Sequence, residues 1–547
     1  MKKLLFAALF LLTVSLSHSQ WISNFGDKGG DVNFSSAKGN AVTTDAYGNS
    51  YVTGYTYEGA TLNDIVTIKY NSQGDTLWAR SYNGTANKND EGTGIYVDAY
   101  GNVYVVGFAE FTSKATDVVV LKYSPEGTLL WNLPYAKTTD PFIDKGLAIA
   151  ADLNGFVYVT GFTTNIDGRT DIFVNKYGSA GLIWTSAMED GGTGLDAKGL
   201  SIAVTRSGNI YVAGYITGAA SSEDIVVIKY NSAGEKQWLR SVNGNVNQSD
   251  KAWGIVVDEL DNCFITGYIT NSVGNADCYT AKINYAGIFL WSTTYAGGGN
   301  QTDKAWGIVV DTDGAVYIAG ETTDASFNVN YVTVKYSAAG APIWSSFYNG
   351  TGNGEDVASS IGLVSSNSVV VTGKSWGTSD TYDYATVRYN KDSGVQNQVN
   401  IYSFTGTSYD IAMDIAVTPT NKVIITGFSE LVIDNAANMS YISTTSLDFS
   451  SELTTANTTP YRYSLHQNYP NPFNPGTTIS FELAAGNNVK LAIYDMLGRE
   501  SSVLVNQYLS AGSYTINFTN SNLASGIYFY RLTAGSFTDI KKMTLVK

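Results

Sequence analysis

An aspartate recurs along this chain at Asp90, Asp144, Asp196, Asp250, Asp303, Asp356 and Asp410, at steps of 54, 52, 54, 53, 53 and 54 residues. A ring of such carboxylates could hold a cation, and a close pair of them could act on a glycosidic bond. The same spacing admits a plainer role, in which each carboxylate accepts backbone N–H bonds at a turn. A residue repeated in every unit usually does a repeated structural job, so the turn reading is favoured. The series Asp64, Asp117, Asp171, Asp224, Asp277 and Asp383 reads the same way. Trp253 and Trp306 break the regularity, because only two adjacent units carry the stretch Asp-Lys-Ala-Trp-Gly-Ile-Val-Val-Asp. Two neighbouring indoles near the mouth of a channel could stack on a sugar or a peptide, with packing between units as the alternative. Together with Asp250 and Asp303 beside them, they form the candidate ligand-binding set.

Other chemistry is thinly supplied. The two histidines, His18 and His466, lie near the ends of the chain, so the long middle has no Ser-His-Asp or Cys-His arrangement and no His-based metal site. Cys263 and Cys278 are the only cysteines. They begin the second and third strands of one unit, at opposite ends of an antiparallel hairpin and too far apart to bridge. Asp311-Thr312-Asp313-Gly314 has the opening of a calcium loop but lacks the later ligands, and its equivalents elsewhere are ordinary hairpin turns. No catalytic residue, metal ligand or cofactor is assigned.

The elements that would position these residues are set by a repeat. Tyr-Val-Thr-Gly ends at Gly54, and the equivalent glycine returns at Gly107, Gly161, Gly214, Gly267, Gly320, Gly373 and Gly427. Eight copies of a unit near fifty residues, each with several short apolar runs bounded by Gly, Asn and Asp, predict an all-β eight-bladed propeller. Each unit reads as four strands. Tight hairpins such as Asp98 to Asn102 lie on one face, and longer, variable loops lie on the other, which is the natural recognition face. The eighth unit lacks its tryptophan strand, while Trp21-Ile22-Ser23-Asn24-Phe25 at the other end resembles Trp78-Ala79-Arg80-Ser81-Tyr82. Pairing the first strand into the last blade would close the ring and remove an edge.

Lys2-Lys3, an apolar run to Leu16 and Ser17-His18-Ser19 predict a secretory signal peptide over residues 1–19; the run is too short to span a bilayer, and no transmembrane segment follows. The propeller is placed at 20–448, a Thr-rich linker at 449–461, and a small Ig-like β-sandwich at 462–547. Up to Thr458 the mature chain carries 24 basic and 44 acidic residues. A surface so negative argues against a nucleic-acid partner.

The repeated unit resembles the SBBP-type β-propeller repeat of exported bacterial proteins over roughly residues 21–450, a likeness that implies a fold and not an activity. The runs Tyr469 to Pro475, Ile493 to Glu500, Ser525 to Leu532 and Lys541-Lys542 resemble the C-terminal sorting domain of the type IX secretion system, with Ser501 a small departure. That resemblance implies the secretion machinery as a partner, passage through the periplasm and outer membrane, and an extracellular or cell-surface destination. The series Trp78, Trp131, Trp184, Trp238, Trp291 and Trp344 resembles the tryptophan docking of quinoprotein dehydrogenases, but no residues for a quinone and calcium site accompany it. The expectation is a non-enzymatic binding or structural module with a glycan or surface-protein ligand. The alternative is an extracellular enzyme acting on polysaccharide through channel carboxylates.

Overall fold

The computed structural model describes residues 19–26, 36–57, 61–112, 115–135, 142–190, 194–218, 222–244, 246–299, 301–364, 367–378, 380–404, 408–431, 439–448, 452–456, 462–474, 476–509, 512–519 and 523–546. The signal peptide read at residues 1–19 lies outside this set except for Ser19. Trp21–Ser446 forms one compact unit and Leu447–Lys547 belongs to a second. Among the described residues no helix is long and apolar enough to cross a membrane.

In the first unit the described strands form eight four-stranded antiparallel sheets. The fifth is representative: Lys251–Val257 pairs with Cys263–Thr270, which pairs with Ala276–Ile283, which pairs with Phe289–Tyr295. Middle strands are buried on both faces and are accordingly rich in Val, Ile, Tyr and Thr. The first strand of each sheet lies against the first strand of the next, and Ser408–Val417 lies against Ala37–Thr44, so the sheets follow one another in a closed, propeller-like cycle. The last sheet takes its outer strand from the start of the chain, in the order Ser19–Gly26, Met439–Asp448, Lys422–Leu431, Ser408–Val417.

The hairpins on one face are held by side-chain turns. Asp98 Oδ1 accepts the N–H groups of Tyr100 and Asn102 at 2.9 and 2.8 Å, and Gly101 supplies the positive φ. Asp311 does the same for Asp313 and Ala315, so the stretch with calcium-loop resemblance is a hairpin turn. Tryptophans of five fourth strands, Trp184 of the third sheet not among them, tie their sheet to the next one's hairpin. Trp78 donates its indole N–H to Pro125 O at 3.0 Å, and Trp238, Trp291 and Trp344 repeat the bond to Tyr285, Ala338 and Lys391. Trp21 makes the same bond to Ser72 O, across the junction of last and first sheets.

Cys263 and Cys278 are free and buried. Cys263 faces Ile283 and Cys278 faces Tyr268 across the hairpin, so the two thiols sit at opposite ends of the pair.

The second unit holds two four-stranded sheets around a shared core of Leu465, Phe481, Leu491, Ile516, Tyr530 and Leu532. The stretch read as a linker contains a strand, Glu452–Ala456, paired antiparallel with Gly512–Thr519 at a sheet edge.

Candidate functional site

A one-residue bulge in every first strand builds the channel. In the fifth sheet Ala252 pairs with Gly267 and Gly254 with Thr266, leaving Trp253 as the extra residue; in the sixth, Trp306 is left between Ala305 and Gly307. The same register shift isolates Asn40, Thr93, Leu147, Leu200, Ser359 and Met413. A bulge re-aims the side chain of its extra residue. Seven of these eight residues line one cavity of about 450 Å³ at the centre of the cycle; from the fourth sheet Ser201 lines it instead.

This lining is asymmetric. Leu147, Trp253 and Trp306 line it from the third, fifth and sixth sheets, and the two indoles pack edge to face with ring centroids 5.1 Å apart. Their N–H groups are buried and find no acceptor among the described residues. The other arc is polar and largely bonded to its neighbours. Asn40 donates to Glu91 Oε1 and Gly92 O, Thr93 to Gly146 O, and Ser359 to Ala412 O. Asp414 is the one carboxylate on the cavity wall among the described residues. It accepts bonds from Val42 N–H at 2.9 Å and the Ser360 hydroxyl at 3.0 Å, and burial raises its pKa.

Asp250 and Asp303 belong elsewhere. The sequence set them beside the tryptophans as ligand contacts, but both are fully buried and neither lines the cavity. Asp250 accepts the N–H groups of Gly244 and Thr270 at 2.5 and 2.6 Å. Asp303 accepts from Gly297 N–H and from the hydroxyl of Thr322. Asp90, Asp356 and Asp410 repeat the pattern with Gly84 and Glu110, Gly350 and Trp376, and Phe404 and Ser408. These carboxylates fasten the loop entering each sheet, which is the turn role favoured from their repetition. Asp196 departs from the series, being exposed and bonded to Thr170 N–H of the preceding sheet at 2.8 Å. Among the described residues no cluster of three or more His, Cys, Asp or Glu side chains could hold a metal ion.

The buried aspartates set a pH dependence. Burial pushes Asp90 and Asp410 up to about 6, against the lowering effect of the bonds they accept. A carboxyl whose folded pKa exceeds its unfolded one binds more protons when folded, so stability falls as pH rises between the two values. Glu223 and Glu355 are shifted down instead, and their contribution is complete above their unfolded pKa. The melting temperature is therefore expected to peak near pH 4 and to decline up to about pH 6, Asp90 and Asp410 each accounting for up to roughly 3 kcal/mol of that decline. Thermal melts at half-unit pH steps check this, and a melting temperature that climbed over that interval would contradict it.

Closed cycles of four-stranded sheets define a propeller-like class of β protein. Residues 467–546 match the secretion system C-terminal sorting domain family. Such a domain interacts with the type IX machinery, and it marks the protein for the cell surface or extracellular space. Among curated proteins, an uncharacterised WD repeat-containing protein of Acanthamoeba polyphaga mimivirus is 21% identical over 445 residues, covering 57% of this chain and 31% of that protein. The chain thus spans about a third of the length of that relative. Solved structures that are similar include a eukaryotic initiation factor (8% identity, 77% of this chain and 92% of that one, TM-score 0.36). A Dyadobacter fermentans protein of unknown function aligns at 8% identity, 78% and 99% coverage and TM-score 0.33. A GH43_1 enzyme from Xanthomonas citri aligns at 9% identity, 78% and 92% coverage and TM-score 0.27. No activity is read across from these.

Proposed function

We propose that the protein is a secreted or cell-surface, non-enzymatic binding module. In this reading an eight-bladed propeller of SBBP type, closed by its N-terminal strand, carries the ligand site, and a small Ig-like domain, to whose sheet the strand Glu452–Ala456 belongs, serves export. The observation that carries it is the pair Trp253 and Trp306. Two indoles in edge-to-face contact stand together on one side of the channel wall, and the face of an indole is suited to stacking on a sugar ring. Their N–H groups, lacking acceptors, would be costly in a purely structural role, by about 1 to 3 kcal/mol each. A carboxylate-pair hydrolase finds less support, because it needs two acids and Asp414 is the single described one on the cavity wall.

The test is a glycan and protein array with the full chain, followed by titration of the best binder. Trp253→Ala with Trp306→Ala is expected to weaken binding about thirtyfold or more. Changes at Tyr100 and Arg206, on the opposite hairpins, should leave it intact. Equal loss from both sets would move the site out of the channel.

A further inference from the structure

A different feature of the loop-bearing face points to a second ligand. Lysines near the start of the first strands reach back over an aromatic ring of the preceding sheet. Lys145 lies 3.8 Å from the centroid of Phe108, Lys198 4.3 Å from Phe162, Lys251 4.6 Å from Tyr215 and Lys304 5.6 Å from Tyr268. A latch repeated in consecutive sheets is structural by default. Its electrostatics, however, are not repeated.

Lys251 is neutralised by Glu223 at 2.8 Å and Lys304 faces Glu321 at 3.6 Å. Neither Lys145 nor Lys198 has a carboxylate within ion-pair distance among the described residues. The reason lies in one position of the repeat. Glu223 stands opposite Thr217 at the start of its strand, and the equivalent residues one and two units earlier are Thr170, opposite Thr164, and Thr116, opposite Glu110. Where the fourth sheet offers a glutamate to the lysine of the next sheet, the second and third offer a threonine.

At that spot the surface opens into a cleft of about 630 Å³, whose walls include Lys145, Lys198, Phe162, Phe142, Ile143 and Thr170. Phe162 pairs with Lys145 across the strands and lies under the Lys198 ammonium, while the Lys145 ammonium lies over Phe108 of the preceding sheet. Burial lowers the Lys198 pKa, Asp196 and Glu223 oppose that, and Lys251 and Lys145 add to it. Asp196, the acid acting most strongly on Lys198, is engaged by the N–H and hydroxyl of Thr170. Two ammonium groups that repel one another across one concave site, neither with a carboxylate at ion-pair distance among the described residues, are complementary to an anion.

We propose that this cleft binds a segment of an acidic polysaccharide, with the carboxylates of uronate residues on Lys145 and Lys198 and the apolar sugar face against Phe142 and Ile143. The size suits a short oligosaccharide. An extended acidic peptide is the poorer fit, because the strands beneath the cleft are paired on both sides or packed at the cycle's centre and offer no edge for it to join.

Titration of the full chain with trigalacturonate tests this, with neutral galactotriose as the control sugar. Wild type is expected to bind the first and not the second, and binding should weaken as salt rises. Lys145→Gln and Lys198→Gln are each expected to weaken it about tenfold. Lys251→Gln, which removes the same kind of latch from a neutralised position, should leave it unchanged, and melting of all three variants separates lost binding from lost folding. Unchanged affinity in the Lys145→Gln/Lys198→Gln double variant, or no binding by wild type, would overturn the proposal. Displacement by poly-L-glutamate as effective as by the sugar would overturn the saccharide assignment.

Discussion

Gly267→Ala is expected to unfold the fifth sheet, at a cost above about 4 kcal/mol, although it adds a single methyl group. Gly267 lies on Cys263–Thr270 directly opposite the bulge of Lys251–Val257. A Cβ there would fall inside the van der Waals shell of the Lys251 carbonyl oxygen and 2.8 Å from Ala252 Cα. Ordinary overpacking costs about 1 to 3 kcal/mol because side chains shift aside. Here both partners are backbone held in a hydrogen-bonded ladder, and neither can yield without breaking it. Gly298 provides the control, since a Cβ at that position meets nothing within 4 Å. Gly298→Ala should melt like wild type, whereas Gly267→Ala should lose cooperative melting or soluble yield. A Gly267→Ala protein melting within a degree or two of wild type would mean that the bulge is not held this way.

The same close approach recurs at Gly54, Gly107, Gly161, Gly214, Gly320, Gly373 and Gly427, each against the carbonyl of the residue two before the bulge. The glycine that marks the period in the sequence is therefore the one that permits the bulge, and the bulge is what turns Trp253, Trp306 and their equivalents into the channel. The period and the strands were legible because alternation, turn residues and the glycine recur at fixed spacing. The bulge was not, because an extra residue present in all eight copies changes no spacing. Asp250 and Asp303 were misplaced for a related reason. Their proximity to the tryptophans in sequence is real, but one residue of strand alternation and one of bulge separate the buried turn carboxylate from the channel wall. The strand Glu452–Ala456 was missed because it pairs on one side only, at a sheet edge, and its polar sequence gives no alternation to read. The unpaired lysines were invisible in composition, since Thr170 becomes informative only when the register sets it equivalent to Glu223.

Deleting residues 19–26 is expected to lower the melting temperature by roughly 5 °C and to loosen the junction between last and first sheets before the rest. The strand Ser19–Gly26 covers the outer edge of the last sheet and is contributed from the far end of the chain. Its contacts reach both sides of the junction. Trp21 lies 5.7 Å from the ring of Tyr70 and bonds to Ser72 O in the first sheet, while Asn24 Oδ1 accepts the hydroxyls of Ser443 and Tyr402 at 2.7 and 3.0 Å. Trp21 and Phe25 also pack against the core formed by Val42, Ile68, Tyr70, Ile424 and Ile442. Removal uncovers this core and leaves Met439–Asp448 as an open edge, so the truncated protein should also self-associate as its concentration rises. Trp21→Ala separates packing from pairing: it should reproduce part of the melting loss, about 3 kcal/mol, without the self-association. Adding the peptide Ser-Gln-Trp-Ile-Ser-Asn-Phe-Gly to the truncated chain should restore part of the stability by refilling the edge. Hydrogen exchange reads the outcome locally, with faster exchange expected in Met439–Asp448 and Asn63–Tyr70 than in the fourth sheet, which lies far round the cycle. Uniform acceleration in every sheet, or none, would show that the strand does not act as the clasp.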